Sequence, residues 1–490
     1  MPIFNFHSAA DVTPARLKDG LLALQELVPA GYARRVRRAQ DFQADRMEKY
    51  LVSDIEDTFS DKDVQNAVRS CGFMVPLVRK VIGQLSLLYK REPLRRLQAL
   101  GEGAAQDIQR AERLYGEIAF QGNLSEALRR CLEWANLLRV AFVQVAVAAD
   151  RIAFDPLSPA DLLLAPPPDG RVGDFSRYEA VVVPRPYLAE GRRAYAFWSQ
   201  ALHFVFDEEG KIAQDFGDPS LANPLGIIPF VRVDREPASE LYPLPAESLV
   251  TANQRLNFAA TELFYTKKFQ SFGQPVFVTD DDVKPDLKVG VQHLVHVVKR
   301  DAAASGDFRF ESPKAPIAEV KDSIFDFLRL LARLHDVSPQ SVDISATVES
   351  GISRLLSERD ATESRERDTA LFRFAEDRLF EMTCRVAACY AETGVGPAAR
   401  YGTDLKLLDS SRLGLQVRFP EAEPVVDPQA RLQLRERELA LGLKSIADVY
   451  REENPDAASW SEGEILARIE ENHRSNGRIL GAGSAVPASE

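Results

Sequence analysis

Cysteine is scarce in this chain, and long hydrophobic runs are missing. The four cysteines are scattered along 490 residues, a distribution that excludes a disulfide framework and a zinc knuckle. The longest apolar stretch, residues 140–149, contains Gln144 and is far shorter than the ~20 residues that span a bilayer. The N-terminal residues show no basic segment followed by an apolar one. We therefore expect a protein of a reducing compartment that is neither secreted nor inserted in a membrane.

Catalytic motifs are also missing. The sequence contains no GxxxxGK[ST] phosphate loop, HExxH zinc motif, GxSxG nucleophile elbow or CxxC pair. His293 and His296 are three residues apart in a strand-like segment, which places them on opposite faces and disfavours a shared metal site. Asp280, Asp281 and Asp282 follow another strand-like segment and indicate an exposed turn, although paired carboxylates can also bind a divalent cation. We therefore expect no catalytic residue, no metal and no cofactor.

Basic residues are not in excess. The formal net charge is −12, whereas tight nucleic-acid binding needs clustered Lys and Arg that displace counterions from phosphates. An acidic wall nevertheless suits a conduit, because a duplex slides along a surface that does not hold it. One basic cluster, residues 34–38, lies in a predicted helix. It indicates a solvated or subunit-contacting face, with a phosphate-binding patch as the alternative.

The residues that are present predict a mainly helical α+β protein. A chain of 490 residues with 45% hydrophobic content is long enough for two to four domains with buried cores. Helices are predicted over the first ~135 residues, where Thr13 precedes Pro14 as an N-cap and Asn123 precedes Glu126 at capping-box spacing. From about residue 139 the apolar period becomes two, which predicts a small antiparallel, barrel-like β unit.

A long helix is then predicted over residues 245–272. Leu249, Leu256 and Leu263 belong to one apolar stripe, whereas Asn257 and Thr261 lie away from it. This second, less apolar face predicts a contact with another subunit.

Two further helices are predicted after a β-like insert over residues 273–318. The first covers residues 319–336, and a polar stretch to residue 349 separates it from the second, which runs from residue 350 to about residue 392. This last helix carries an apolar register of Phe372, Ala375, Leu379, Met382 and Val386. Its charges are expected to form mostly a solvated or inter-subunit face.

The C-terminal part predicts one strand near residues 413–419 and three short helices. The helices begin at residues with capping chemistry, which are Asp427 with Pro428, Ser445 with Asp448, and Ser461 with Glu464. Residues 477–490 are rich in Gly, Ala and Ser and predict a disordered tail.

This order of segments resembles that of the portal proteins of tailed bacteriophages. The resemblance covers about residues 60–475 and is strongest from Asn223 to Glu392, where NPLGIIPFV closes the strand-rich region and Ser350-Gly351-Ile352 opens the longest helix. It implies the architecture of a siphophage-type head-tail connector, with a wing that contains a small β unit, a two-helix stem, an α/β clip and a helical crown.

The resemblance assigns each segment to a part of that architecture. The parts are a wing (1–244), a stem helix (245–272), a clip (273–318), a second stem helix (319–336), a tunnel loop (337–349), the long helix and strand of the wing (350–426), a crown (427–476) and a tail (477–490). The tunnel loop would line a DNA channel with Gln340, Val342, Asp343, Ile344, Ser345 and Thr347. The clip would dock a packaging motor through Phe277, Asp280, Asp281, Asp282, His293 and His296.

The function that the resemblance implies is a ring-shaped channel at a capsid vertex, for packaging and ejection of the viral genome. The implied partners are about eleven further copies of the chain, double-stranded DNA, the terminase large subunit, a head-tail adaptor and the major capsid protein. The implied location is the virion, and the host cytoplasm during assembly. Long helices with two partly apolar faces agree with a closed ring, which supplies neighbours on both sides.

Two other functions remain open from the sequence. One is a metal-dependent enzyme that acts on nucleic acid, with a helical scaffold and a site at Asp280–Asp282. The other is a different structural protein of the virion.

Overall fold

The computed structural model divides the chain into two compact units, residues 1–420 and residues 421–490. The residues that the structure describes are 3–4, 6, 8–100, 107–173, 175–185, 193–213, 220–236, 240–272, 274–279, 295–298, 307–311, 316–335, 351–420, 428–454 and 460–482.

Helices dominate the first part of unit 1. The predicted cap at Thr13 is confirmed, since its side chain accepts a hydrogen bond from the backbone N–H of Arg16, and Pro14 opens the first helix. A short strand, which the periodicity did not predict, follows the fifth helix. The elements are α1 (Pro14–Leu27), α2 (Tyr32–Gln43), α3 (Glu48–Thr58), α4 (Lys62–Arg69), α5 (Leu77–Leu85) and β1 (Leu94–Ala99).

The next two helices are α6 (Ile108–Gln121) and α7 (Leu124–Leu138). The capping box predicted at the start of α7 is wrong. Asn123 has a left-handed backbone (φ 58°) and its side chain makes no capping hydrogen bond. Glu126 instead accepts a hydrogen bond of 2.6 Å from Arg129, which draws its carboxylate along the helix and away from the cap.

The predicted β unit is present, but its described strands do not close into a barrel. Its strands form two separate antiparallel sheets, in the orders β3-β2-β8 and β4-β5-β6-β7. The alternation of apolar residues identifies each strand but not the strand with which it pairs, so the sequence could not show that the strands form two sheets. The strands are β2 (Val140–Ala148), β3 (Arg151–Leu157), β4 (Leu163–Ala165), β5 (Ala180–Arg185), β6 (Ala194–Trp198), β7 (His203–Asp207) and β8 (Phe230–Asp234).

Three long helices and an insert complete most of unit 1. Their bounds lie within a few residues of the predicted ones. The elements are α8 (Glu247–Phe272), β9 (Gln274–Thr279), β10 (Val295–Val298), β11 (Asp307–Glu311), α9 (Ile317–Leu334) and α10 (Gly351–Tyr390).

Helix α10 has 40 residues, which corresponds to about 60 Å, and its second half runs through a hydrophobic core. The predicted apolar register is confirmed, because Phe372, Ala375, Leu379 and Val386 are buried. After α10 come the short helix α11 (Pro397–Tyr401) and strand β12 (Leu413–Arg418), which pairs antiparallel with β1.

The described charges of α10 are mostly exposed, as predicted, but two of its carboxylates form buried ion pairs. Glu376 is fully buried and accepts hydrogen bonds from Arg95 at 2.7 and 2.8 Å and from the hydroxyl of Tyr89 at 3.0 Å. Asp368, which is also buried, pairs with Arg235. The two pairs connect α10 to β1 and to the residue that follows β8.

The described residues of unit 2 form three helices, α12 (Pro428–Ala440), α13 (Ile446–Glu453) and α14 (Glu462–Ala482). Two of the predicted caps are confirmed. Ser445 and Asp448 form a capping box, and Ser461 exchanges hydrogen bonds with Glu464. The tail prediction is wrong for residues 477–482, which continue α14; only two of these six residues are glycine, and Arg478 and Leu480 are good helix formers. Residues 483–490 lie outside the described residues.

Candidate functional site

Helices α8 and α9 precede and follow the insert in the sequence, and they pack against each other. Leu331 and Ala332, near the end of α9, are buried in the same hydrophobic core as Leu249 and Leu256, near the start of α8. The two helices therefore run in opposite directions, so that the insert lies at the end of a helical hairpin.

A row of polar side chains on α8 is buried inside unit 1. Asn253, Asn257 and Thr261 follow one another at intervals of four residues, and all three are at most 3% exposed. We call this row the polar ladder. The sequence placed Asn257 and Thr261 on a face that another subunit would cover. That interpretation is corrected, because the face packs against residues 73–78 of the same chain, which lead from α4 into the first turn of α5.

The polar ladder binds the main chain of residues 73–78. The backbone N–H groups of Phe73, Val75 and Val78 donate to Thr261 Oγ1 at 3.1 Å, Asn257 Oδ1 at 2.8 Å and Asn253 Oδ1 at 3.0 Å. Asn253 Nδ2 also donates to the carbonyl of Val75 at 2.8 Å. Because these groups are buried, each hydrogen bond also avoids the cost of an unsatisfied polar atom.

A second polar contact fixes the first turns of α8. The Arg38 guanidinium donates to Glu247 Oε1 and to Gln254 Oε1, each at 2.7 Å. Gln254 in turn donates to both carboxylate oxygens of Asp54, at 2.7 and 2.9 Å. Burial raises the pKa of Asp54, while the Gln254 hydrogen bond opposes that rise. Helices α2 and α3 thus hold the first turns of α8, at the end of the helix that is far from the insert.

The insert contains a three-stranded mixed sheet in the order β10-β9-β11. Strand β10 runs parallel to β9 and β11 runs antiparallel to it, and the register places His296 beside Phe277. Of the predicted docking residues, these two therefore lie on adjacent strands. Asp280, Asp281, Asp282 and His293 lie outside the described residues, so their predicted roles remain predictions.

The predicted tunnel loop also lies outside the described residues. This applies to all six of its named side chains, which are Gln340, Val342, Asp343, Ile344, Ser345 and Thr347. The structure describes only the helices on either side, α9 to Leu334 and α10 from Gly351.

Helix α9 presents an apolar stripe to solvent. Val320, Phe327, Leu330 and Leu334 are between 36% and 67% exposed and recur at intervals of seven, three and four residues. This is the spacing by which one helix packs along another. We call these four residues the α9 stripe.

Among the described residues, no group of three His, Cys, Asp or Glu side chains could hold a metal ion. Burial raises the pKa of the Cys384 thiol to about 12, and it also raises the pKa of the Cys131 thiol, so neither is a ready nucleophile. Within the same residues, no helix combines the length and the apolar character needed to cross a membrane.

Sequence reasoning missed the role of the polar ladder and of Glu376. The spacing of Asn253, Asn257 and Thr261 was a usable signal, because polar residues at intervals of four beside an apolar stripe form a single line on a helix. No comparable signal marked Glu376, whose partners Arg95 and Tyr89 are distant in sequence.

Solved structures similar to this chain include two from gene transfer agent particles. One is a chain in the virion of a native gene transfer agent particle, with 12% identity and a TM-score of 0.38; the similarity covers 78% of this chain and 89% of that chain. The other is in the neck of an empty gene transfer agent particle, with 12% identity and a TM-score of 0.34, over 77% of this chain and 89% of that chain. No protein-family model and no curated protein matches the chain. These TM-scores are too low for the structural similarity to assign a function to the chain.

Proposed function

We propose that this chain is the subunit of a phage-type portal, a ring through which double-stranded DNA enters and leaves a capsid. The observation that carries the proposal is the order of elements in unit 1. Two small antiparallel sheets lead into the α8–α9 hairpin with a three-stranded sheet at its end, and α10 then returns through the core. The sequence resemblance supplies the link between this order and a portal.

The α9 stripe supports assembly into a ring. Four large apolar side chains along one helix are costly to leave in water, at about 25 cal/mol for each Å² of apolar surface. The polar ladder is covered within the chain, so α8 no longer supplies the free face that the sequence suggested. In the proposed ring, the α9 stripe of each subunit packs against the next subunit, and repetition of this heterologous contact closes a ring of about twelve.

The charge of the chain supports free passage of DNA. Each subunit carries −12, and a ring multiplies this charge around its axis. Such a ring repels phosphates on average, so the duplex is not held along its length. In this proposal the loop at residues 337–349 forms the constriction, and the insert docks first the terminase large subunit and later the head-tail adaptor. The ring belongs to the portal vertex of the virion, where it also contacts the major capsid protein.

We also propose that the chain has no catalytic activity of its own. The energy for packaging then comes from a separate ATPase. The metal-dependent enzyme remains an alternative that no described residue favours, since its site would be Asp280–Asp282.

Electron microscopy of the purified chain tests the proposal. Negative-stain images should show closed rings with a central hole wide enough for a ~20 Å duplex. Leu330→Ser, within the α9 stripe, should weaken the rings, whereas Asp322→Ser on the polar face of α9 should leave them intact. A wild-type chain that stays monomeric at micromolar concentration, and forms no ring in particles, would refute the proposed function.

A further inference from the structure

A concave basic surface lies beside helix α2. Its volume is about 850 Å³, and its lining includes Arg34, Arg37, Arg46 and Lys49 with a single acidic residue, Asp41. We call it the basic hollow. Four cations and one carboxylate give its lining a positive charge, although the chain as a whole is acidic.

Asp41 orders two of the four cations. Its carboxylate is buried and lies 3.1 Å from Arg46 Nε and 2.6 Å from Lys49 Nζ. The hydroxyl of Tyr50 donates to the same carboxylate at 3.0 Å. The hydrogen bond to Asp41 raises the pKa of Lys49, which therefore stays charged at neutral pH. One carboxylate thus holds two cations in place without neutralising both.

The other two cations, Arg34 and Arg37, are exposed and lie one helical turn apart on α2. Among the described residues, neither pairs with a carboxylate. Side chains three apart on a helix have Cβ atoms about 5–6 Å apart, so their guanidinium groups can reach neighbouring phosphates of one strand. Gly31, just before α2, has a left-handed backbone (φ 71°), which lets the chain turn at the edge of the hollow.

We propose that the basic hollow binds the phosphodiester backbone of double-stranded DNA. The choice of DNA as the ligand rests on the proposed function, which brings a duplex against the ring. The chemistry of the hollow fits this ligand, because a nucleic-acid strand offers a phosphate for each 3.4 Å of helix axis and Arg binds phosphate with two parallel hydrogen bonds. A conduit that is acidic overall then has one local surface on each subunit that holds DNA.

Binding of a fluorescent 30-base-pair duplex to the full-length, assembled chain tests the proposal. Fluorescence anisotropy is measured over a series of salt concentrations for the wild type and for the double variant Arg34→Gln/Arg37→Gln. The wild type should bind at low salt with an affinity that falls steeply as salt rises. The double variant should bind at least about tenfold more weakly, with a shallower salt dependence, because each lost phosphate contact lowers the slope by about 0.9.

A matched control is available on helix α6. Arg110 and Arg113 are also exposed arginines three residues apart, and Arg110→Gln/Arg113→Gln should leave DNA affinity unchanged. Images of the double variants check that assembly is retained. The proposal is overturned if the wild type does not bind the duplex, if both double variants bind equally, or if poly-glutamate of equal charge displaces DNA as well as unlabelled duplex does. The last result would assign the hollow to an acidic protein segment.

This experiment separates the proposal from the proposed function. If the chain forms rings and packages DNA, but anisotropy does not depend on Arg34 and Arg37, only the basic hollow is refuted. If the chain forms no ring in solution or in particles, the portal assignment fails whatever the anisotropy shows.

Discussion

The buried pair between Arg95 and Glu376 gives the sharpest test of how unit 1 is held together. Glu376 is fully buried and the Arg95 side chain is only 9% exposed, so neither charge is solvated. Glu376→Gln keeps the size of the side chain but leaves the Arg95 charge with only the largely exposed Glu92 carboxylate, 3.6 Å away. Removing one member of a buried ion pair costs about 3–5 kcal/mol, because the other charge then remains buried and uncompensated.

The effect should appear where β1 meets α10 and β12. At 1.4 kcal/mol for each factor of ten, a loss of this size raises the population of the locally open state by about two to three and a half powers of ten. Amide hydrogen exchange across residues 94–99 and 413–418 measures that population. Glu376→Gln should accelerate exchange on both strands, which are paired with each other.

Helix α10 also carries the matched control. Glu381 accepts a 2.8 Å hydrogen bond from Arg378, but both side chains are nearly half exposed. Glu381→Gln should therefore cost only about 0–1 kcal/mol. The triple variant Arg95→Met/Glu376→Leu/Tyr89→Phe removes both charges and the hydroxyl together, and it should recover most of the lost protection. Equal exchange in Glu376→Gln and Glu381→Gln would show that burial of the pair does not set its importance.

Three further predictions concern pH, the constriction and catalysis. Burial lowers the pKa of His203 below its usual 6.5. As the pH falls, the unfolded chain therefore protonates this histidine at a higher pH than the folded chain does, and the stability of the fold should decrease below about pH 6.5. His203→Gln should reduce that decrease in thermal melts. Ser345→Arg should leave ring assembly intact but slow DNA packaging, most strongly at low salt, whereas Ser53→Arg on α3 should leave the packaging rate unchanged. A normal packaging rate for Ser345→Arg would show that residues 337–349 do not form the constriction. The purified chain should hydrolyse no ATP, and turnover that a point substitution abolishes would contradict this.

The long helices were predictable because the signal for each is local. The apolar stripe of α10, from Phe372 to Val386, is buried as predicted, and the observed bounds of α8 and α9 differ from the predicted ones by at most two residues. A stripe at helical spacing needs only one buried face, whatever that face packs against.

What the helices contact was not predictable from the same signal. Asn257 was assigned to another subunit, but it binds the backbone of Val75, some 180 residues earlier in the chain. The charges of α10 were expected mostly in solvent or against another subunit, but Glu376 meets Arg95 in the core. Polarity indicates the exposed face of a helix only when the rest of the chain offers no partner, and that depends on tertiary contacts.

The predicted channel and docking residues show the same limit. Only Phe277 and His296 of the docking set lie among the described residues, on adjacent strands. Their placement side by side came from a parallel pairing of β9 with β10, which alternation of residue types along either strand does not specify.

The polar ladder predicts which side of its contact can diverge in sequence. Its side chains bind the main chain of residues 73–78, and every amino acid except proline offers the same main-chain groups. Phe73 and Met74 are exposed, so substitutions there, other than to proline, keep all of these hydrogen bonds. Substitution on the other side of the contact, at Asn253 or Asn257, removes them outright. Among descendants of this protein, the helix should therefore stay constant while the segment that it holds diverges, and the two sides should show little covariation.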